Sequence, residues 1–568
     1  MEIVYPTGHR LGEHLRNAGN GALDFIVLIT GAFERVSLGD LKGHLDECVR
    51  SLKEGGLLFV QGLPQYLSEL GVFLDQRLRF KYWIAVESTL QPRDWGLPSA
   101  HAGILLFTKG ERFSVRQTRF PHRYCSFCGN PLRDWGGKKH LMHPGGHVIS
   151  DVWTELPKAD NYTQISERAL ATILAMVGRE ADVPPGSGLL PSPPHPAEGG
   201  NIRGLVGPEE GVARFRQPIM AESAHQLLLP SVSPPDSETS GEMGQLGESL
   251  FDVVVRGDAV QVLRKYPDKS VDLVFADPPY NLEKQYARYR DERDERHYIE
   301  WCNSWLKEYA RILKPTGCLY VLNLPRWTMY HAAFLNQHLH FQNWIVWDAL
   351  SEPRGKLMPA HYGLLFYTKQ PKGFTFNYEE VGRIDARSYC LRGSCIRRRK
   401  AAGADEKEPL TDIWWDVHRI KHKRDRDYHP CQLPEELMER IIRLSTNEGD
   451  IVLDAMCGTG TTAVTAVKLG RRYVAIDLDE TYVRLTREKI REVERFGEVR
   501  RKSIYKPVRE CTKKELQLEL RHLAQRLGRL PTQRDVEQLS QYAPDVFLDL
   551  FPTWGKALKA AKLVVHSV

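Results

Sequence analysis

Ser270 to Leu282 reads SVDLVFADPPYNL. An apolar run forms a buried strand and ends abruptly in Asp277-Pro278-Pro279-Tyr280. Open α/β sheets bind ligands at the carboxyl ends of their strands, which is where this tetrapeptide falls. Two prolines fix a rigid loop and remove two backbone donors, so carbonyls are left to point outward. Asp277 adds a carboxylate acceptor and Tyr280 a flat aromatic face. Such a site accepts two hydrogen bonds from an amino group while stacking a planar ring, and an exocyclic amine of a nucleobase fits. That amine is a poor nucleophile because its lone pair is delocalised into the ring. Accepting both of its protons pushes nitrogen toward tetrahedral geometry and frees the lone pair. A strand that merely ends in a proline-rich turn is the plain alternative.

A second motif lies downstream. GDIVLDAMCGTGTT, Gly449 to Thr462, is followed by AVTAVKLGRRYVAIDLDE, which reads as strand, glycine-rich turn, helix, strand and acidic residue. Gly458 and Gly460 let the chain turn tightly and let the backbone approach a ligand. The helix N-terminus behind them offers free amides to a carboxylate. Asp477 falls where an acidic residue holds a ribose diol. With Ala463 in place of a third glycine, a nicotinamide dinucleotide stays open beside other nucleoside cofactors on this motif alone.

Further out, the chain is a duplication. VRSLKEGGLLFV from Val49 and ARILKPTGCLYV from Ala310 match at an offset of 261, which persists at Phe73/Phe334 and Trp83/Trp344. It shifts by one at His101/His361, Gly103/Gly363 and Thr108/Thr368, and returns at Asp151/Asp412. Register held over so many residues marks an internal repeat, and its alternating strands and helices imply an α/β unit with a mostly parallel sheet. In the first copy LDFIVLITGAF stands where VDLVFADPPY stands in the second, so that Thr30, Gly31, Ala32 and Phe33 are read as replacing the tetrapeptide. Between the copies, residues 179–247 are crowded with Pro, Gly and Ser and read as a flexible linker. The expected organisation is 1–178 a degenerate copy, 179–247 linker, 248–497 the active copy and 498–568 a small helical domain, with Thr532 a good helix cap.

Taken together, RGDAVQVL, SVDLVFADPPYNL, DYHPCQLPEELMERIIRLS and GDIVLDAMCGTGTT resemble the S-adenosylmethionine-dependent DNA amino-methyltransferases, over about Phe251 to Arg495. The catalytic motif precedes the cofactor motif, as in the permuted beta-class order. The resemblance implies a Rossmann-like methyltransferase fold in tandem, one copy degenerate and one active, and transfer of a methyl group to a base flipped out of the duplex. It implies that Asp277, Pro278, Pro279 and Tyr280 bind and activate the base. It also implies that Asp454, Met456, Gly458, Thr459, Gly460 and Thr461 line the methionine side of the cofactor, Asp477 its ribose and Asp258 its adenine. His429, Gln432 and Pro434 match the segment before the cofactor loop, and Gln432 is counted with the cofactor residues. The chain departs from the family at Ala455-Met456, where Pro-Phe is usual, and at Leu433, where Lys is usual. The Asp-Pro-Pro-Tyr form implies adenine N6, with cytosine N4 the alternative; a DNA-binding scaffold that does not consume its cofactor is the reading from another class. Beta-class enzymes often pair as homodimers, so a fused inert copy implies an internal pseudo-dimer, with a homodimer of whole chains as the alternative. Site-specific DNA methylation also implies double-stranded DNA as substrate and allows a cognate restriction endonuclease.

Cys125 and Cys128 with His140 and His143 give C-x2-C-x11-H-x2-H, a spacing able to make a tetrahedral zinc site; buried or free thiols are the alternative. The basic runs from Cys395 and from His418 could neutralise phosphates or be plain solvated loops. GRLPTQRDVEQLSQYAPDVFLDLFPTWGKALKAAKL resembles the small helical repeat attached to homing endonucleases, which implies a DNA-binding module led by Arg500, Arg501, Lys502 and Lys506; a packing domain is the alternative.

Composition bounds the rest. The 568 residues are 42% hydrophobic and 26% charged, an ordinary globular balance, and 78 basic against 72 acidic side chains leave +6, which permits a polyanionic partner without requiring one. No apolar stretch approaches the ~18 residues of a membrane helix. MEIVYPTGHRLGEHL has no signal-peptide core, and ten cysteines do not make a disulfide scaffold, so a cytoplasmic setting is expected.

Overall fold

The computed structural model describes residues 3–4, 11–30, 38–91, 93–133, 142–162, 164–178, 204–207, 250–282, 284–285, 290–291, 293–349, 355–404, 406–420, 432–499, 512–544, 546–547, 551 and 553–563. Contacts divide the chain into Met1–Arg500 and Arg501–Val568. Among the described residues no helix is long and apolar enough to cross a membrane.

The second copy builds an eight-stranded sheet in the order Val253–Arg256, Arg472–Asp477, Ile451–Asp454, Val271–Ala276, Leu313–Asn323, His361–Thr368, His340–Asp348, Ile413–Trp414. The strands from Val253–Arg256 to Leu313–Asn323 pair in parallel, whereas His361–Thr368 is antiparallel to both of its neighbours. Five of the seven pairings are parallel, so the sheet is mostly parallel, as the sequence implies. His340–Asp348 and His361–Thr368 follow one another directly through 349–360, where no helix occurs among the described residues, and antiparallel neighbours need no crossover helix. Val271–Ala276 is buried along its whole length, as expected of a central strand covered on both faces. Amphipathic helices cover the sheet, among them Glu295–Ile312, which turns Tyr298, Cys302, Trp305, Leu306 and Tyr309 inward.

The first copy builds the same sheet with seven strands: Ile3–Val4, Gly204–Gly207, Leu23–Ile29, Leu52–Gly62, Ser99–Thr108, Arg79–Gln91, Val152–Trp153. Two details correct the sequence reading. Gly204–Gly207, inside the stretch read as linker, is a strand parallel to Leu23–Ile29, in the place that Ile451–Asp454 holds in the second copy. And Phe25 pairs with Leu57 as Leu273 pairs with Cys318, which makes Ile29, one residue before Thr30, the counterpart of Asp277. Thr30 instead donates its hydroxyl to the Gln61 carbonyl at 2.9 Å, and residues 31–33 lie outside the described residues. The ion pair Lys53–Asp24 (2.9 Å) repeats as Lys314–Asp272 (2.7 Å), which supports the corrected register.

The two copies pack on each other across an approximate two-fold axis. Trp83 stacks on its own duplicate Trp344 with ring centroids 3.7 Å apart and planes 7° from parallel. Gly103 and Gly363 make room for these rings, since a Cβ at either would lie 2.9 or 2.8 Å from the adjacent indole. Helix Pro64–Asp75 crosses helix Pro325–Leu335 so closely that a Cβ on Gly71 would meet the Met329 sulfur at 2.3 Å. Buried His–Asp pairs are exchanged: His101 Nδ1 stands 3.1 Å from Asp412, and His361 Nδ1 stands 3.1 Å from Asp151. Each Asp also accepts a backbone amide from the other copy, Asp412 from Ala100 (2.8 Å) and Asp151 from Ala360 (2.7 Å). One hydrophobic core runs through this junction and includes Leu28, Trp83, Trp344 and Leu365.

The unit beyond Arg500 is helical. Thr512 and Thr532 each close a capping box, with Glu515 and Asp535, on helices Lys513–Leu527 and Gln533–Leu539. Thr553 caps Trp554–Ala560. Leu516, Leu520, Val536, Phe547 and Ala557 form its own small core. The basic lead-in Arg500, Arg501, Lys502 and Lys506 lies outside the described residues.

Candidate active site

Three parallel strands, Val271–Ala276, Ile451–Asp454 and Arg472–Asp477, bring their carboxyl ends side by side. A cleft of about 210 Å³ opens there. Asp258, Asp277, Pro278, Pro279, Gln432, Asp454, Met456, Gly458, Thr459, Thr461 and Asp477 all line it.

At one end the cleft is rich in acceptors. Asp454 is buried, with Oδ2 accepting the Thr462 hydroxyl at 2.6 Å and Oδ1 the Met456 amide at 3.0 Å. Burial pushes its carboxyl up to about 6 despite these donors. Asp477 accepts the Gly458 amide at 2.8 Å and the Asp479 amide at 2.9 Å, and burial likewise pushes it up to about 6. Removing a carboxylate from water disfavours its charged form, so both gain from a ligand that brings new donors or positive charge. Between them the chain turns at Gly460, whose φ of +80° is left-handed, and a Cβ there would meet Thr486 at 2.5 Å. Helix Thr461–Lys468 starts immediately after, with no side chain capping its N-terminus, which leaves first-turn amides directed to the cleft. Asp258 caps helix Ala259–Leu263 by accepting the Gln261 amide at 3.0 Å.

At the other end is Asp277-Pro278-Pro279-Tyr280. The Pro279 carbonyl accepts the Tyr298 hydroxyl at 2.6 Å and the Tyr280 carbonyl accepts the Trp327 indole at 3.0 Å. Two of the carbonyls expected to face a ligand are thus used to fix the loop. Among the described residues no hydrogen bond reaches the Pro278 carbonyl, which lines the cleft beside Asp277. The Tyr280 hydroxyl donates to Asp277 Oδ1 at 2.6 Å, and its ring, only 4% exposed, tilts against Tyr362 at 5.6 Å. That ring is therefore covered, not the open stacking face the sequence implies. Tyr280 and Gly460 are not among the lining residues, Pro434 holds the N-cap position of helix Glu435–Ser445 without a capping hydrogen bond, and His429 lies outside the described residues.

Arg293, Trp301, Leu478 and Tyr482 also line the cleft and were not found from sequence. Arg293 is positioned by Asn281, which donates to its carbonyl at 2.8 Å and accepts its amide at 2.7 Å, and its guanidinium lies over the Trp301 ring at 4.8 Å. Leu478 directly follows Asp477 and is 63% exposed, an apolar surface at the mouth whose only sequence signal was adjacency to the acidic strand end.

The cysteine and histidine set separates. Cys125 and Cys128 meet Cys390 and Cys395, not a histidine pair. His143 Nδ1 accepts the Gly145 amide at 3.0 Å within its own turn, and His140 lies outside the described residues. The C-x2-C spacing is local and places histidines nearby in sequence, whereas the folded chain supplies sulfur from the other copy.

A strand-borne Asp-Pro-Pro-Tyr, a glycine turn and two acidic strand ends thus meet on one cleft. A family model described as DNA methylase matches residues 37–223 and 271–488, and the chain belongs to that family. A homing endonuclease associated repeat matches residues 511–564. The type II methyltransferase M.BamHI of Bacillus amyloliquefaciens is 36% identical over 230 residues, 39% of this chain and 53% of that protein, so the match spans about half of that relative. The DNA adenine methyltransferase YhdJ of Escherichia coli is 31% identical over 238 residues, 41% of this chain and 80% of that protein. Among solved structures, the DNA modification methylase TTHA0409 of Thermus thermophilus, complexed with S-adenosyl-L-methionine, is 24% identical with a TM-score of 0.31, covering 43% of this chain and 95% of that one. The cytosine-N4-specific PvuII methyltransferase is 17% identical with a TM-score of 0.32, covering 44% and 89%.

Proposed function

We propose that this DNA methyltransferase moves a methyl group from S-adenosylmethionine to the exocyclic N6 of adenine, using the second copy alone. The observation that carries this is the placement of the Asp277 carboxylate and the Pro278 carbonyl on the same cleft as Asp454, Asp477 and the uncapped helix start at Thr461. The acceptor-rich end suits an amino acid joined to a nucleoside: Asp477 would accept ribose hydroxyls, Asp454 would take the methionine amino group, and the helix amides would take its carboxylate. Asp258, which lines the same cleft, would hold the adenine of the cofactor. When bound, S-adenosylmethionine supplies a methyl group on a positively charged sulfur. Asp277 and Pro278 would accept hydrogen bonds from the two N–H groups of the target amine and so free its lone pair, Asp277 being able to take the one proton that methylation releases, and Tyr280 holds the Asp277 carboxylate in position through its hydroxyl. The amine must leave the base stack to reach them.

The Asp-Pro-Pro-Tyr sequence and a relative named as an adenine methyltransferase support adenine over cytosine. The C-terminal unit is assigned to DNA binding, one chain acts as a self-contained pseudo-dimer, and restriction-modification relatives support a cognate endonuclease as partner. Nucleoside mass analysis of DNA from cells expressing the protein should show N6-methyladenine, and N4-methylcytosine in its place would overturn the choice of base. Asp277→Ala should abolish transfer while S-adenosylmethionine still binds; near-normal methylation by this variant would overturn the mechanism.

A further inference from the structure

Four cysteines from distant parts of the sequence converge where the two copies meet. Cys125 Sγ lies 3.8 Å from Cys395 Sγ, and Cys128 Sγ lies 3.6 Å from Cys390 Sγ. All four sulfurs fall within 4.8 Å of one another. These separations are far beyond the ~2.05 Å of a disulfide. They are close to the edge of a sulfur tetrahedron around zinc, since Zn–S bonds of ~2.3 Å place the sulfurs ~3.8 Å apart.

The backbone around them is shaped for ligation. Cys125 to Gly129 make a tight knuckle: Gly129 adopts φ +66° and donates to the Cys125 carbonyl at 2.9 Å, while the Cys125 amide donates to the Asn130 carbonyl at 2.7 Å. Amides of Phe127, Cys128 and Cys390 are directed at the Cys125 sulfur, and the Asn130 side chain donates to the Cys128 sulfur at 3.5 Å. Such donors offset the negative charge of thiolates bound to a metal. The second pair flanks the start of helix Gly393–Ala401, and the two segments are joined directly by Ser126 N–H to the Ser388 carbonyl (2.9 Å) and Arg392 to the Pro131 carbonyl (2.8 Å). The apolar cluster here is small, essentially Cys125, Tyr389, Cys390 and Cys395 with Phe127 and Leu132 against them, and it stands apart from the main core. Few apolar side chains are present to hold these loops by burial alone.

We propose that Cys125, Cys128, Cys390 and Cys395 bind one structural zinc ion that clamps the first copy to the second. Four thiolates close the coordination sphere, so the site is structural and not catalytic, and soft sulfur ligands in a tetrahedron select zinc. Loading replaces the thiol protons with the metal, so uptake releases protons. The clamp is independent of the methyl-transfer assignment.

Elemental analysis of the full chain, purified under reducing conditions, should find one zinc per chain. Cobalt(II) in its place should give the visible bands of a tetrahedral thiolate site. Cys390→Ser with Cys395→Ser should lose the zinc and melt at the lower temperature that wild type shows after chelation, whereas Cys318→Ser should keep it. Wild type that neither carries nor takes up zinc, iron found in its place, zinc retained by the Cys390→Ser/Cys395→Ser variant, or an intact mass showing disulfides would each overturn the proposal. The cobalt spectrum of wild type decides the matter even if the variants do not fold.

Discussion

Neutralising Asp151 or Asp412 should destabilise the protein by similar amounts, although only one copy carries the Asp-Pro-Pro-Tyr tetrapeptide. Asp412 is fully buried and accepts from the Ser99 hydroxyl, the Ala100 amide at 2.8 Å and the Asn343 side chain at 3.4 Å, with His101 Nδ1 3.1 Å away. Asp151 accepts the Ala360 amide at 2.7 Å, with His361 Nδ1 at 3.1 Å. Truncation to Ala strands buried donors and costs about 3–5 kcal/mol. Asn keeps one acceptor oxygen but turns its amide toward the remaining donors, so about 2–4 kcal/mol is expected. At about 1 °C per kcal/mol for a cooperative unit of about 500 residues, Asp412→Asn and Asp151→Asn should each melt about 2–4 °C below wild type. Calorimetry on the full chain measures this directly. The pH dependence has a definite sign. Burial opposes the charge on Asp412, yet His101, Ser99 and Ala100 hold its carboxyl below the ordinary 3.8. A depressed carboxyl contributes its stability above the unfolded value and loses it as pH falls through the folded one, so this contribution fades only below about pH 4. An Asp151→Asn variant melting within about 0.5 °C of wild type would refute the reasoning that the exchanged pairs hold the copies together.

Cofactor affinity should fall below about pH 6, because Asp454 and Asp477 both protonate near there and a protonated carboxyl accepts poorly; up to tenfold per unit for each group is expected in calorimetric titrations, and a flat profile from pH 7 to 5 would contradict it. Gly460→Ala places a Cβ 2.5 Å from Thr486 at φ +80° and should weaken cofactor binding at least tenfold, whereas Gly449→Ala, with φ +84° but nothing within 4 Å, carries only the ~1–2 kcal/mol backbone cost. Ending the chain after Gly497 should weaken DNA binding and flatten its log–log salt dependence by ~0.9 for each lost phosphate contact. An unchanged slope with a lower melting temperature would instead identify a packing domain.

Local motifs were legible because their chemistry is local. The strand into Asp277 and the turn through Gly458 and Gly460 both stand where hydrophobic pattern and glycine spacing put them. The duplication was legible too, and its matched residues turned out to be the contacts themselves: Trp83 on Trp344, and His101 and His361 each facing the other copy's aspartate. What sequence could not give was partnership across distance. The donors that take the Pro279 and Tyr280 carbonyls, Tyr298 and Trp327, come from later helices. Strand Gly204–Gly207 is too short and glycine-rich to rise above its surroundings by periodicity. The counterpart of Asp277 differs by one residue, Ile29 for Thr30, because the two strands carry no identical residues at their ends to fix the count, which the ladder of paired strands does.

The stacked indoles of Trp83 and Trp344 belong to one polypeptide. In an assembly of two identical chains every substitution at such an axis occurs twice, and dilution separates the partners. Here neither holds: the halves are tethered at any concentration, and a change at Trp83 leaves Trp344 as it was. Covalent fusion has thus released the two sides from having to be the same, so that one could exchange its carboxylate for Ile29 while the other kept Asp277.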